Sequence, residues 1–263
     1  MNRSVLSGLA ALSLLDIAAA TPLAAQVVNG NKPFTGIYTG VHGGGFDANS
    51  VHFTSLPYNV FSPFDGTDVT IPGRFDILSI DGGLAGGHIG YMVQLPSNVV
   101  VGLESDFTAL FGNSTASGGG TIDNGDGIHT FSYVSNLDAD WQATLRGRLG
   151  FALNNLHIYG TAGVAIINVS WSDSSRFVEG DAGGVPTGVV YTGANGEDKT
   201  LVGGVVGTGF EYALFQSVLV GLEYRYEDFG NIGSVIHGAT PQGGNLDSLE
   251  VHKVLARVSF KIN

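Results

Sequence analysis

The sequence predicts an all-β fold, an eight-stranded antiparallel up-and-down transmembrane β-barrel with four long extracellular loops and three short periplasmic turns. Two observations predict it. Apolar and polar-or-small residues alternate with a period of two along most of the chain, the pattern of a strand with one face in lipid and the other in a polar lumen. The connections between these segments also alternate strictly between long and short. A soluble sandwich has no reason to keep that order, whereas an up-and-down barrel needs it to put every long loop on one side.

Composition narrows the choice further. The chain has 263 residues, formal net charge −12, 43% hydrophobic and 13% charged residues, 41 glycines and no cysteine. Without cysteine there is no disulfide scaffold, thiolate zinc site, cysteine nucleophile or lipidated cysteine. The apolar content argues against disorder, and the acidic balance against a nucleic-acid partner.

Residues 1–25 read as a secretory signal peptide. Arg3 gives the positive start, Val5 to Leu15 the apolar stretch, and small residues precede Gln26. Asp16 and Pro22 argue against a stable spanning helix. The mature domain is then 26–263, a single outer-membrane β-barrel.

Eight strands are expected, at roughly 35–47, 76–95, 98–110, 137–152, 156–171, 199–214, 217–229 and 248–262. In the first and second, Gly40 and Gly44, and Gly82, Gly86 and Gly90, each share one face, as a crowded lumen requires. In the third, Val101, Leu103, Ser105, Phe107 and Ala109 oppose Gly102, Glu104 and Asp106. The fourth shows the pattern best, with Trp141, Ala143, Leu145, Gly147, Leu149 and Phe151 against Gln142, Thr144, Arg146 and Arg148. In the sixth, Val202, Val206, Phe210 and Tyr212 oppose Gly207, Gly209 and Glu211. The seventh sets Val220, Leu222, Tyr224 and Tyr226 against Glu223, Arg225 and Glu227. The last sets Val254, Ala256, Val258, Phe260 and Ile262 against Leu255, Arg257, Ser259 and Lys261. Tight turns fall at 95–98, 153–155 and 214–217, and long loops at 48–75, 111–136, 172–198 and 230–247. Trp141, Phe151, Tyr212, Tyr224 and Phe260 are the expected aromatic girdle.

These segments resemble the alphaproteobacterial outer-membrane immunogenic, or porin-family, small β-barrel proteins. The resemblance rests on Phe34 to Gly40 (FTGIYTG), Gly86 to Tyr91 (GGHIGY), Gly102 to Asp106 (GLESD) and Arg146 to Phe151 (RGRLGF), followed by Tyr159 to Gly163 (YGTAG), Gly209 to Ala213 (GFEYA) and Leu222 to Gly230 (LEYRYEDFG). They occur in order and cover nearly all of the mature chain. The resemblance implies a barrel that is not an enzyme. It also implies a C-terminal aromatic read by the barrel-assembly machinery, a signal that falls here to Phe260 and Ile262. Phe34 stands where the family commonly has Trp, and the chain runs on to Asn263.

Glu104 and Asp106 on the third strand and Arg146 and Arg148 on the fourth are expected to meet as a structural ion-pair cluster in the lumen, extended by Glu211, Glu223, Arg225 and Arg257. The catalytic alternative is a glycosidase-like carboxylate pair, since inward neighbours on a strand lie ~7 Å apart. Arginines alongside favour the charged carboxylate, the wrong form for a general acid. His42 and His88 are expected as lumen hydrogen-bonding groups, a two-ligand set too small for a metal site. His129, His237 and His252 are expected to face solvent. Ser79 and Ser105 face outward with no histidine on the same stripe. Asp123 to Gly127 (DNGDG) reads as a glycine-rich surface turn, lacking the spacing and closing Glu of a calcium loop. The acids Asp65, Asp68, Asp123, Asp126, Asp173, Glu179, Asp181, Glu197, Asp198 and Asp247 are expected on exposed loops or loop bases.

The expectation is therefore a surface-exposed, structural outer-membrane protein of a Gram-negative cell with a side-chain-filled lumen and no enzymatic activity, cofactor or metal. Its partners are membrane lipid, lipopolysaccharide, the assembly machinery and whatever the loops contact. The alternative is a narrow porin for small ions or solutes. An outer-membrane barrel enzyme and a secreted β-sandwich adhesin are the remaining readings.

Overall fold

The computed structural model describes residues 32–49, 51–55, 57–63, 66–73, 75–235 and 244–262. The predicted leader at 1–25, His237, Asp65 and Asn263 lie outside the described residues. Twelve strands follow in chain order: β1 Gly36–Ala48, β2 Val51–Ser55, β3 Tyr58–Ser62, β4 Thr67–Ile71, β5 Phe75–Leu78, β6 Asp81–Gln94, β7 Val99–Asp123, β8 Ile128–Leu153, β9 Leu156–Gly180, β10 Pro186–Ala213, β11 Val218–Val235 and β12 Gly244–Ile262.

Eight of them close a ring in the order β1-β6-β7-β8-β9-β10-β11-β12, and β12 returns to β1. All neighbours are antiparallel, and the seam runs from Ile37↔Ile262 to Ala48↔Val251. Closure leaves no free edge at membrane depth, which a lipid-exposed sheet requires. The three short connections sit at one end. Asn98 and Asn154 take left-handed φ of 66° and 56° there, a conformation asparagine tolerates better than most residues.

Side chains on the outside of this ring are apolar and bare. Leu103 and Phe107 are each 57% exposed, Leu149 62% and Val202 67%. A continuous apolar band of this kind is a liability in water and the ordinary state of a barrel in lipid. On β1 it runs from Ile37 to Gly45, and on β6 from Gly83 to Val93, close to the ~9–11 residues that a tilted strand needs to span a bilayer. Directly above it the outward positions turn acidic at Asp47, Asp81, Asp140, Asp198 and Asp228, all exposed, and at Asp138 and Glu250, both partly exposed.

The chain outside the band differs from the expectation. The stretches expected as long loops at 111–136 and 172–198 are continuations of β7, β8, β9 and β10 as two tall hairpins, closed by tight turns at 124–127 and 181–185. The first loop holds β2 to β5, so the second expected strand, 76–95, is divided between β5 and β6. β2 joins the sheet beside β12 and β5 pairs with β2, whereas β3 and β4 form a separate hairpin. Above the bilayer both faces of a strand can meet water, so Ser114 to Asp123 lost the alternation that marks the membrane segment.

One residue resets the phase. Against β9, Asp140 is an extra residue of β8, between Ala139↔Val169 and Trp141↔Asn168. Below it the even residues Gln142, Thr144, Arg146 and Arg148 point inward, and above it the odd residues Ala139, Leu137 and Ser135 do. A bulge of this kind re-aims every later side chain on its strand.

The interior is layered. At the turn end, Phe34, Tyr38, Met92, Val100, Ala152, Ala213 and Leu219 form a small apolar cluster. Toward the hairpins a larger one gathers Phe53, Leu78, Leu137, Ile167, Trp171, Phe229 and Leu255, with Phe53 stacked on Trp171 at 5.0 Å between ring centroids. Higher still, the β3–β4 hairpin packs Val69 and Ile71 on Phe177 of β9.

Candidate functional site

Between the two lower apolar clusters lies the charged layer. Glu104 and Asp106 enter it from β7, Arg146 and Arg148 from β8, Glu211 from β10, Glu223 and Arg225 from β11 and Arg257 from β12. All eight side chains are buried, so four guanidinium groups and four carboxylates balance out of contact with water. Each strand supplies its charges at alternate positions, which is why they share one face.

Arg146 occupies the centre. Its Nη2 lies 2.5 Å from Glu104 Oε1 and 2.8 Å from Asp106 Oδ2, while Nη1 lies 2.5 Å from Glu223 Oε1. Arg257 donates to both Glu104 and Glu223, bridging β7 and β11. Arg148 reaches Glu104 Oε2 at 3.1 Å and Glu211 Oε1 at 2.9 Å, with its guanidinium 3.8 Å from the centroid of the Tyr159 ring. Arg225 lies 3.0 Å from Asp106 Oδ2. Tyr38 and Tyr159 donate to Glu104 and Glu223 at 2.7 and 2.6 Å, and Thr144 donates to Asp106 at 2.7 Å.

Sequence reasoning missed several members of this layer. Tyr38, Tyr159 and Thr144 complete the carboxylate shells, and a further buried pair joins Lys253 to Glu227 at 2.9 Å, with Lys253 also donating to Gln142. Lys253 shares the parity of Arg257, so the alternation of β12 carried the signal. Phe34 and Met92, apolar residues turned into the lumen, share the parity of Tyr38 and His88, so their position carried the signal and their residue type hid it.

His42 and His88 lie in the lumen on adjacent strands, with Nδ1 atoms 3.4 Å apart. His42 Nε2 meets Thr108 Oγ1 at 2.9 Å, and His88 Nε2 meets Ser259 Oγ at 2.8 Å. Glycine makes room for both. A Cβ on Gly86 would sit 2.6 Å from His42 Nε2, and one on Gly40 would sit 2.6 Å from His88 Nε2.

Other positions required correction. His129, expected in solvent, is fully buried and stacked on Phe177 with centroids 5.4 Å apart. Asp173 and Glu179, expected on exposed loops, are buried as well, Glu179 accepting from Ser62. The cause is common to all three, because the tall hairpins enclose an interior of their own above the membrane. His252 is exposed, as expected, but it points outward from β12 and meets the Tyr224 hydroxyl at 2.7 Å. The outer face therefore does carry a histidine, and three steps round the ring separate its strand from that of Ser105.

The expected girdle residues Phe151, Tyr212, Tyr224 and Phe260 are 43–50% exposed on the outer face, and Trp141 stacks on Phe107 there at 5.8 Å. Ile262 is 55% exposed beside the turn end. At the tip of the β7–β8 hairpin, Asp123 and Asn124 accept from the backbone N–H groups of Gly125 and Gly127, with Gly125 at φ 90°. Among the described residues, no three His, Asp or Glu side chains gather as a metal site.

The charged layer is a structural device chemically. Glu104, Asp106 and Glu223 are each engaged by guanidinium and hydroxyl donors from two or more strands, Glu211 is paired with Arg148, and apolar clusters lie above and below. Buried charges paired with opposite charges avoid the cost of an isolated ion, and they fix which strands can sit opposite one another.

No family model matches the chain. Among curated proteins it is 31% identical over 199 residues to the 31 kDa outer-membrane immunogenic protein of Brucella melitensis biotype 1, covering 75% of this chain and 72% of that protein. It is 32% identical over 146 residues to a 22 kDa outer membrane protein of Rhizobium leguminosarum bv. viciae, covering 55% of this chain and 52% of that protein. Solved structures similar to it include Ail of Yersinia pestis, at TM-score 0.32 and 12% identity over 87% of this chain and 99% of that one. Another is OprG of Pseudomonas aeruginosa, at TM-score 0.39 and 13% identity over 87% of this chain and 97% of that one. The closed lipid-facing ring and the Brucella relative lead to one conclusion: this chain is a surface-exposed β-barrel protein of the Gram-negative outer membrane and belongs to the family of alphaproteobacterial outer-membrane immunogenic proteins.

Proposed function

We propose that this protein is a closed, non-enzymatic barrel whose work is display. The observation that carries this reading is the plugged lumen. A layer of eight paired charges lies between apolar clusters built around Phe34 and Tyr38 on one side and Phe53 and Trp171 on the other. Eight strands leave an interior that side chains can fill, and here they do. The ion-pair cluster serves as scaffold, and the contacts with the outside belong to the β7–β8 and β9–β10 hairpins. The acids at Asp47, Asp81, Asp228 and Glu250 support a contact with lipopolysaccharide through cations that bridge its phosphates. Phe260 and Ile262, outward at the last turn of the barrel, support their role in recognition by the assembly machinery.

The test is an epitope tag inserted at Gly125, in the tip of the β7–β8 hairpin. Antibody is expected to label intact cells as strongly as permeabilised ones. Labelling only after permeabilisation would overturn the display reading.

A further inference from the structure

Above the membrane, the β3–β4 hairpin and the concave face of β8, β9 and β10 enclose a cavity of about 260 Å³. Its floor follows from the register. Phe131, Phe177 and Tyr191 are direct cross-strand partners, so three aromatic rings stand in a row across β8, β9 and β10. The next row reads Tyr133, Ser175 and Gly193. Small residues at Ser175 and Gly193 leave a hollow beside the aromatic row, and that step in side-chain size creates the cavity.

The geometry points to a saccharide-binding site for a single neutral pyranose ring. The rings of Phe131 and Tyr191, on either side of the buried Phe177, offer apolar faces on which the C–H face of a sugar stacks. Phe177 is held in place, with His129 stacked at 5.4 Å and Tyr191 at 6.2 Å. Hydroxyl groups line the same space at Tyr58, Tyr133 and Ser175, and each offers an oxygen that can accept from a sugar hydroxyl. Tyr133 is oriented by the hydrogen bond it donates to Asp76, at 3.0 Å.

Size and charge narrow the ligand. The volume lies just under the ~300 Å³ at which pockets for drug-sized ligands begin, which suits one ring. Arg176 is the one charged residue among the described lining, and strand alternation turns its exposed side chain to the opposite face of the sheet, so the cavity itself presents no charge. Tyr191 stands at the rim, 38% exposed, so the site opens to water where a hydroxylated ligand can keep its outer face solvated. The inference deepens the display reading and rests on it, since a site on this hairpin meets glycans only outside the cell.

The experiment is saturation-transfer NMR on the full chain in lipid nanodiscs, with the methyl glycosides of glucose, galactose and mannose and with N-acetylglucosamine as probes. At least one probe is expected to receive transfer at its ring C–H protons. Tyr191→Ala is expected to weaken that binding about tenfold or more. Ser175→Trp, which fills the hollow, is expected to abolish the transfer while heat-modifiable mobility shows the barrel intact. No transfer to any of the four sugars, or transfer unchanged in Ser175→Trp, would overturn the site. Binding of indole with no sugar bound would overturn it equally. The epitope tag at Gly125 reports display independently, so the two readings can fail separately.

Discussion

Arg146 and Glu223 meet at 2.5 Å across the lumen, although 77 residues and three strand steps separate them. A contact between neighbouring strands would hold only one edge of the sheet. This one ties opposite walls together, and Arg257 repeats the crossing by donating to both Glu104 and Glu223. The ring is therefore closed through its interior as well as through its backbone.

Removing the central guanidinium takes one buried partner from each of three carboxylates. Arg146→Met is expected to destabilise the barrel by about 3–5 kcal/mol, the range for breaking a buried ion pair from one side. Urea unfolding in detergent measures it, and an unchanged midpoint would remove the cluster from the account of stability.

Glycine in the lumen is a matter of space. Gly86→Leu would drive a side chain into His42 and the Phe107 carbonyl, and overpacking of this kind costs about 1–3 kcal/mol or more. Gly204 faces outward with nothing within 4 Å of an added Cβ, so Gly204→Leu is expected to fold as the parent does. The fraction of each variant showing heat-modifiable mobility compares them.

The outer face is specified by lipid. Leu145, 49% exposed in the middle of the band, is expected to resist charge. Leu145→Arg should cost about 2–4 kcal/mol, as for a cation near the bilayer midplane. Unfolding from liposomes reads the loss, and a neutral result would favour a soluble sandwich instead.

Assembly is expected to depend on the last strand. Phe260→Ala should lower the amount of folded barrel in the outer membrane, and Ile262→Phe should raise it. Quantifying heat-modifiable protein in membrane fractions tests both. Equal amounts in all three chains would separate these residues from recognition.

How far the sequence could be read depended on where water was. Inside the membrane, lipid and lumen impose opposite demands on alternate residues, so Leu145 and Arg146 could be assigned to opposite faces from spacing alone. Arg146 and Arg148 could be matched with Glu104 and Asp106 because β7 and β8 are consecutive. The reach of Arg146 to Glu223 could not, since it depends on the curvature of the closed ring. Above the membrane the rule inverts. Phe131, Tyr133 and Phe177 turn inward there, and His129, Asp173 and Glu179 go with them, because the hairpins build a second interior facing water on its outside. On β8 the extra residue at Asp140 also shifted the phase, so His129, Phe131 and Tyr133 could not be placed by a strict period of two.

Planar-bilayer recording with the purified full chain tests the central claim most directly. A lumen with paired charges between two apolar clusters predicts no current steps above the lipid background. Large, stable steps would contradict the closed barrel and establish the narrow porin in its place.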